Sequence, residues 1–273
     1  VNNNKFHFEL ENLTRLFFPD EKINVYHNAE SENTPYILAE ISDKITVRTN
    51  INSFTAEKSA PLYDDDNSNE LATVRLLYMI LSDYTGVSQP WGLLTGVRTV
   101  KLLRNIIKEV GETKARQRFL NDFFVSPEKL SLAESTESNE RRILELSKPD
   151  SFSLYVGIPF CPSRCSYCSF VMSSIERAKK LIEPYVDLLC EELKATAEIA
   201  SVLGLRLETV YFGGGTPTTL NAEQLDKVLK TVNDNFNMKT CREFTVEAGR
   251  PDTIDKERLF ALKENKVDRI SIN

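Results

Sequence analysis

No apolar run in the 273 residues approaches the roughly 20 that a membrane-spanning helix requires, which excludes a helical membrane span. A basic excess is also missing: 34 Lys+Arg stand against 40 Asp+Glu, a net charge of -6, so a protein that grips a nucleic-acid backbone is set aside. The opening Val1-Asn2-Asn3-Asn4 is polar and lacks the apolar segment of a signal peptide, and a cytoplasmic location is expected. An even set of cysteines, the mark of a disulfide framework, is absent. There are five, and three fall within eight residues, which points to metal binding in a reducing compartment. What is present is ordinary globular material: 41% hydrophobic and 27% charged residues exclude disorder and low complexity, and the length suggests two domains.

In the first part the expected elements are short. A strand is expected at Lys5 to Phe8, then a helix from Glu9 to Phe18 on the spacing of Leu10, Leu13, Leu16 and Phe17, stopped by Pro19. Lys22 to His27, Pro35 to Ile41 and Lys44 to Thr49 read as strands, with Ser42-Asp43 as a hairpin turn. Asn67 with Glu70 resembles a capping box ahead of a helix carrying Leu71, Val74, Leu77, Leu81 and Tyr84 and ending at Gly86. A second helix follows Gly96, with Val97, Val100, Leu103, Ile107 and Val110 as its stripe and Gly111 as its stop; Glu112 to Phe124 repeats the pattern more weakly. Ser126-Pro127 opens another segment, in which Ser131 to Glu140 reads equally as exposed helix or loop. The domain boundary is expected near Pro149, dividing the chain into 1–150 and 151–273.

From Ser151 the rhythm changes. Strands at Phe152 to Ile158, Leu207 to Phe212, Glu243 to Glu247 and Val267 to Ile272 alternate with helices at Pro184 to Leu203, Ala222 to Phe236 and Ile254 to Leu262. On the first helix Tyr185, Leu188, Leu189, Leu193, Ala197 and Ala200 share one face, and Gly204 caps it. Repeated βα units imply a parallel sheet, so the fold class expected is α/β, a partial (β/α) barrel preceded by a smaller α+β and helical domain. About four units fit, against the roughly 250 residues of a closed barrel, and Asn273 ends a strand. A chain cut within its barrel is therefore expected.

The chemistry concentrates after the first of these strands. Cys161, Cys165 and Cys168 put three thiolates in one loop, which suits an iron–sulfur cluster whose fourth iron stays open. A zinc site is the alternative; it wants a fourth ligand, for which only His7 and His27, in the first domain, or Cys190 and Cys241 are available. Cys190 and Cys241 read as ordinary buried thiols. The run Gly213-Gly214-Gly215-Thr216-Pro217 ends the next strand and lets the backbone approach a ligand, or else makes a tight turn into a helix capped by Asn221 with Gln224. Glu247 ends the third strand as a carboxylate for a cationic or hydroxyl-bearing ligand, or as a partner for Arg250 or Arg269. In parallel barrels ligands bind at the C-terminal ends of the strands, where Cys161, Gly213, Glu247 and Asn273 all fall.

Cys161-x-x-x-Cys165-x-x-Cys168, with Tyr167 before the last cysteine and the glycine run after it, resembles the radical S-adenosylmethionine enzymes. Tyr155-Val156-Gly157-Ile158-Pro159-Phe160-Cys161, Val246-Glu247 and Arg269-Ile270-Ser271 are similar to the oxygen-independent coproporphyrinogen III oxidases and their relatives; Leu16-Phe17-Phe18-Pro19 and Trp91 to Arg98 point to the HemZ branch. The resemblance implies a partial radical S-adenosylmethionine barrel and a 4Fe-4S cluster on the three cysteines. The open iron would chelate the amino and carboxylate groups of S-adenosyl-L-methionine, and one electron would release a deoxyadenosyl radical. It further implies that the backbone of Gly213, Gly214 and Gly215, with Thr216, receives the methionyl group, that Tyr167 contacts the adenine through its main chain, and that Glu247 and Tyr155 make polar contacts. The implied partners are coproporphyrinogen III, a tetrapyrrole whose propionates become vinyl groups, and an unidentified electron donor.

Two positions depart from the decarboxylases. Phe170 stands where they usually carry another cysteine, as in the related heme chaperones, and Gly157 replaces the usual histidine. The expectations therefore divide into an oxidative decarboxylase, a heme-binding chaperone and a zinc-stabilised interaction protein. A chain that lacks the distal strands is expected to lack turnover.

Overall fold

The computed structural model describes residues 6–26 and 35–272, so His27 and Asn273 lie outside the described residues, as does Lys5 of the expected first strand. The chain divides into two compact units, 1–144 and 145–273.

The first unit begins with helix α1 (His7–Phe17), which buries Leu10 and Leu13. The strand expected at Lys5 to Phe8 is thereby corrected: His7 and Phe8 join the helix, because Leu10 and Leu13 pull the first turn onto the core. No strand forms at 22–26 either; Val25 and Tyr26 are exposed there, without an apolar face to seat them. Three antiparallel strands follow, β1 (Tyr36–Ile41), β2 (Lys44–Ile51) and β3 (Phe54–Pro61). β3 goes unmarked in the sequence, because its half-buried alternation is carried by Ala56 and Ala60 rather than large residues. Asn52 and Ser53 have φ of 47° and 71°, the left-handed pair that a two-residue hairpin turn requires.

Helix α2 (Asp66–Thr85) packs on β2 and β3 and buries Leu77, Ile80 and Leu81 completely. Its cap is Asp65, whose carboxylate accepts from the Ser68 N–H at 2.9 Å, and not Asn67, which lies in the first turn. Helix α3 (Thr99–Val110) buries Leu103 and Ile106, while Val97 precedes the helix and is exposed with Val110, so the expected stripe was too wide. Helix α4 (Glu112–Gln117) runs into a π-turn, Arg118–Asp122, that buries Phe119. Helix α5 (Pro127–Leu144) continues through the polar stretch that read equally as loop.

The second unit contains a four-stranded sheet, parallel throughout, whose strands lie side by side in the order β4 (Ser151–Ile158), β7 (Arg206–Gly214), β8 (Glu243–Glu247) and β9 (Arg269–Ser271). The two-residue pair β5 (Phe160–Cys161) and β6 (Ser173–Ser174) lies between β4 and the first crossover helix. The crossovers are α6 (Ile175–Val202), α7 (Ala222–Asn235) and α8 (Lys256–Glu264), and α/β is the fold class found. Asn221 and Gln224 form the expected capping box of α7, whereas α8 starts later than expected, at the Asp255 cap.

Helix α6 starts nine residues before Pro184. That proline sits on an exposed turn, while Ala178 and Ile182 before it are buried; their packing outweighs one missing hydrogen bond. Leu188 is exposed rather than part of the buried face.

Beyond a register shift at Phe152/Ser153, where Glu208 is the extra residue of β7, the side chains along the sheet alternate. Val156, Ile158, Val210, Phe212, Phe244 and Val246 enter one core with the three crossover helices. Ser153, Tyr155, Thr209, Tyr211, Glu243, Thr245 and Glu247 hold the other positions of the period-two pattern and so occupy the other face. A parallel sheet covered on both faces carries continuous apolar runs; here one face is polar. Among the described residues no helix is long and apolar enough to cross a membrane.

Candidate functional site

The cysteine loop is tied at its neck. Phe160 and Cys161 pair with Ser173 and Ser174, and the Ser173 N–H donates to the Pro159 carbonyl at 2.8 Å, so residues 162–172 leave and return at one point beyond the end of β4. The Tyr185 hydroxyl of α6 donates to the Gly157 carbonyl, and its ring meets Phe160 edge-on at 5.2 Å, which fixes the neck to the helix. Cys161 is buried there; Cys165 and Cys168 lie half-buried in the loop, where the Cys168 N–H donates to the Cys165 carbonyl at 3.1 Å. Tyr167, Phe170 and Val171 at its tip are exposed.

Among the described residues no three His, Cys, Asp or Glu side chains gather closely enough to hold a metal ion. The three thiols thus share a loop without forming a closed set of ligands. Their chemistry fits an iron–sulfur cluster, since they are three free thiols within eight residues and thiolates are the ligands such a cluster takes. Cys190 is buried on the core face of α6, and Cys241 precedes β8, where burial pushes its thiol pKa up.

The glycine run holds this neck in place. A Cβ built on Gly215 would lie 2.6 Å from the Phe160 carbonyl oxygen, and one on Gly214, whose φ is 106°, would lie 3.1 Å from Ile158 backbone atoms. Side chains are therefore excluded by close backbone approach. The Gly215 N–H donates to the Ile158 carbonyl at 2.7 Å and the Thr216 N–H to the Phe160 carbonyl at 2.9 Å. Thr216 is buried, with its hydroxyl 3.3 Å from the Cys161 sulfur. These N–H groups are engaged by the neck.

Gly213 faces the polar side, and three groups converge on it. A Cβ there would come within 2.8 Å of the Tyr155 hydroxyl, 2.9 Å of the Tyr211 ring and 3.3 Å of the Glu247 carboxyl carbon. The rings of Tyr155 and Tyr211 stack at 5.8 Å, and the Tyr211 hydroxyl donates to Glu247 at 2.7 Å. That bond, ahead of burial and of the charge itself, pushes the Tyr211 pKa up to about 12. Partial desolvation, then the Glu247 charge, raises that of Tyr155. The alternative role for Glu247, as a partner for Arg250 or Arg269, is not taken up: Arg269 bonds Glu243 at 2.8 Å, and Arg250 turns to Asp252 and the cysteine loop.

Cys161, Gly213 to Thr216, Tyr155 and Glu247 are thus placed together at the C-terminal ends of β4, β7 and β8, with Cys165 and Cys168 in the adjoining loop. The Tyr167 side chain points to solvent, which is compatible with a main-chain role alone. Two further residues belong to this arrangement. Tyr211 is legible in the sequence as the position two before Gly213, on the same face of its strand; Arg250 reads there only as an alternative partner for Glu247.

Residues 155–273 match the Radical SAM superfamily. The chain is 30% identical, over its whole length and 57% of the relative's, to the oxygen-independent coproporphyrinogen-III oxidase-like protein HemZ of Bacillus subtilis. It is 36% identical to the heme chaperone HemW of Lactococcus lactis over 46% of this chain and 31% of that one. Among solved structures, the coproporphyrinogen III oxidase HemN of Escherichia coli is 31% identical over 44% of this chain and 27% of that one, with a TM-score of 0.39. The chain therefore spans a little over half of the first of these relatives and about a third or less of the others.

Proposed function

The chain belongs to the radical S-adenosylmethionine superfamily through residues 155–273, and on that premise we propose that it carries the cluster and cofactor end of a cytoplasmic oxidoreductase acting on a tetrapyrrole. The observation that carries this reading is the convergence of Tyr155, Tyr211 and Glu247 on Gly213, one strand end away from the neck that holds Cys161. Cys161, Cys165 and Cys168 would hold a 4Fe-4S cluster. When bound, that cluster supplies the single electron for reductive cleavage of S-adenosyl-L-methionine.

The chain's own residues do the rest. Carbonyl groups of the glycine run accept from the methionyl ammonium. Glu247, oriented by Tyr211, accepts from a ligand hydroxyl with its free oxygen, and the Tyr155 hydroxyl lies beside it. The backbone of Tyr167 contacts the adenine. In the reaction proposed for the complete protein, a propionate side chain of coproporphyrinogen III gives up one hydrogen atom, one electron and carbon dioxide and becomes a vinyl group. The hydrogen atom goes to the deoxyadenosyl radical and the electron to an external acceptor; a separate donor supplies the cluster's electron.

Phe170, in place of a further cysteine, supports a second reading, a heme chaperone that does not decarboxylate. The test begins with anaerobic reconstitution of this chain with iron and sulfide. Four irons per chain, lost on Cys161→Ala, Cys165→Ala or Cys168→Ala, with a reduced spectrum perturbed by S-adenosyl-L-methionine, is the expected result; one zinc and no iron would overturn it. For the complete protein, deoxyadenosine formed with vinyl product supports the oxidase. Stoichiometric heme binding that survives the cysteine substitutions, without vinyl product, supports the chaperone.

A further inference from the structure

Arg250 is not part of the cofactor contacts derived above, yet it joins the end of β8 to the cysteine loop. Its guanidinium donates to the Ser163 hydroxyl at 2.9 Å and approaches the Ser163 carbonyl at 3.4 Å, and a further N–H is 3.5 Å from the Cys165 sulfur. Asp252 holds the opposite edge of the fork at 3.3 and 3.4 Å. The base of this arm is rigid. Thr253 donates from both its N–H and its hydroxyl to the Arg250 carbonyl at 2.9 Å, and its hydroxyl is 2.7 Å from that of buried Thr218, in the turn after the glycine run. The arm is thereby anchored in the same framework that grips Cys161.

We infer that Arg250 is a positioning residue for the cysteine loop, clamping residues 162–172 through Ser163 and directing an N–H at the Cys165 sulfur so that a cluster held there is easier to reduce. This rests on the functional reading above. The physical reason is charge: an electron delivered by an external one-electron reductant makes the cluster and its thiolates one unit more negative. A cation and an N–H···S bond stabilise that reduced form more than the oxidised one. A lysine retains the charge but not the fork, because an ammonium is a point charge that cannot bond Ser163, Cys165 and Asp252 from one plane.

Arg250→Gln and Arg250→Lys are the test, each with two measurements. In the metal-free chain, tryptic cleavage after exposed Arg164 reports the clamp; it is expected to quicken several-fold in both variants, because both lose the fork. In the reconstituted chain, an electron-paramagnetic-resonance titration with dithionite and mediators reports the potential. Arg250→Gln is expected to raise the ratio of oxidised to reduced cluster at a fixed potential roughly tenfold, the size of one charge-assisted hydrogen bond, and Arg250→Lys to recover much of that. Unchanged cleavage and unchanged potential in Arg250→Gln would overturn the inference while leaving the functional reading intact. A wild-type chain that takes up no iron sinks the functional reading and the redox half together, and the cleavage rates then judge the clamp alone.

Discussion

The two faces of the parallel sheet are made by the same strands, yet they answer to different demands. On one face Val156, Ile158, Val210, Phe212, Phe244 and Val246 are packed under α6, α7 and α8. On the other, Ser153 meets Thr209, Tyr211 meets Glu247, and Arg269 meets Thr245 and Glu243, a connected polar surface leading to Gly213 and the cysteine neck. Alternation at single-residue spacing therefore separates stability from chemistry. Substitutions one residue apart along β7 should fail in different ways.

The largest effect is expected on the packed face. Phe212→Ala removes a fully buried ring and should destabilise the second unit by about 3–5 kcal/mol, read as a shift in the urea midpoint; a loss below about 1 kcal/mol would mean the two faces are not so divided. Next is the seam between strand ends. Gly215→Ala sets a methyl against the Phe160 carbonyl, where the neighbour is backbone and cannot swing away; a cost of roughly 1–3 kcal/mol is expected, with reduced iron uptake in reconstitution because the Cys161 neck is displaced.

On the polar face the effects shrink in stability and grow in function. Tyr211→Phe loses the bond to Glu247 and should cost about 1 kcal/mol, while S-adenosyl-L-methionine binding to the reconstituted chain weakens. Its pH signature has a definite sign. Because the folded-state pKa is raised to about 12 from an ordinary 10, the stabilisation is fully present below pH 10 and is lost as pH rises through 12. The wild-type advantage over Tyr211→Phe in thermal melting should therefore shrink across that window. Smallest is Arg269→Ala, whose exposed pair with Glu243 should be worth under about 1 kcal/mol and should fade in salt.

Local signals were readable where local physics decides. The βα rhythm after Ser151, the capping box at Asn221 and the stop at Gly111 all depend on residues within four positions of one another. Pro184 misled for the same reason: alone it reads as a helix start, and only the burial of Ala178 and Ile182 carries the helix through it. β3 was invisible because Ala56 and Ala60 become apolar contacts only once β2 lies beside them.

The sequence by itself determined the chemistry available: three thiols in one loop, a glycine run, and a carboxylate at a strand end, each in a contiguous stretch whose spacing needs no fold to be seen. Tertiary structure alone decided which groups meet. Tyr211 reaches Glu247 across 36 residues, and Arg250 reaches Cys165 across 85. Helix and turn rules act over about four residues, whereas a parallel crossover returns the chain to the same sheet edge only after 30 or so, and the side chains gathered there are set by strand order and register.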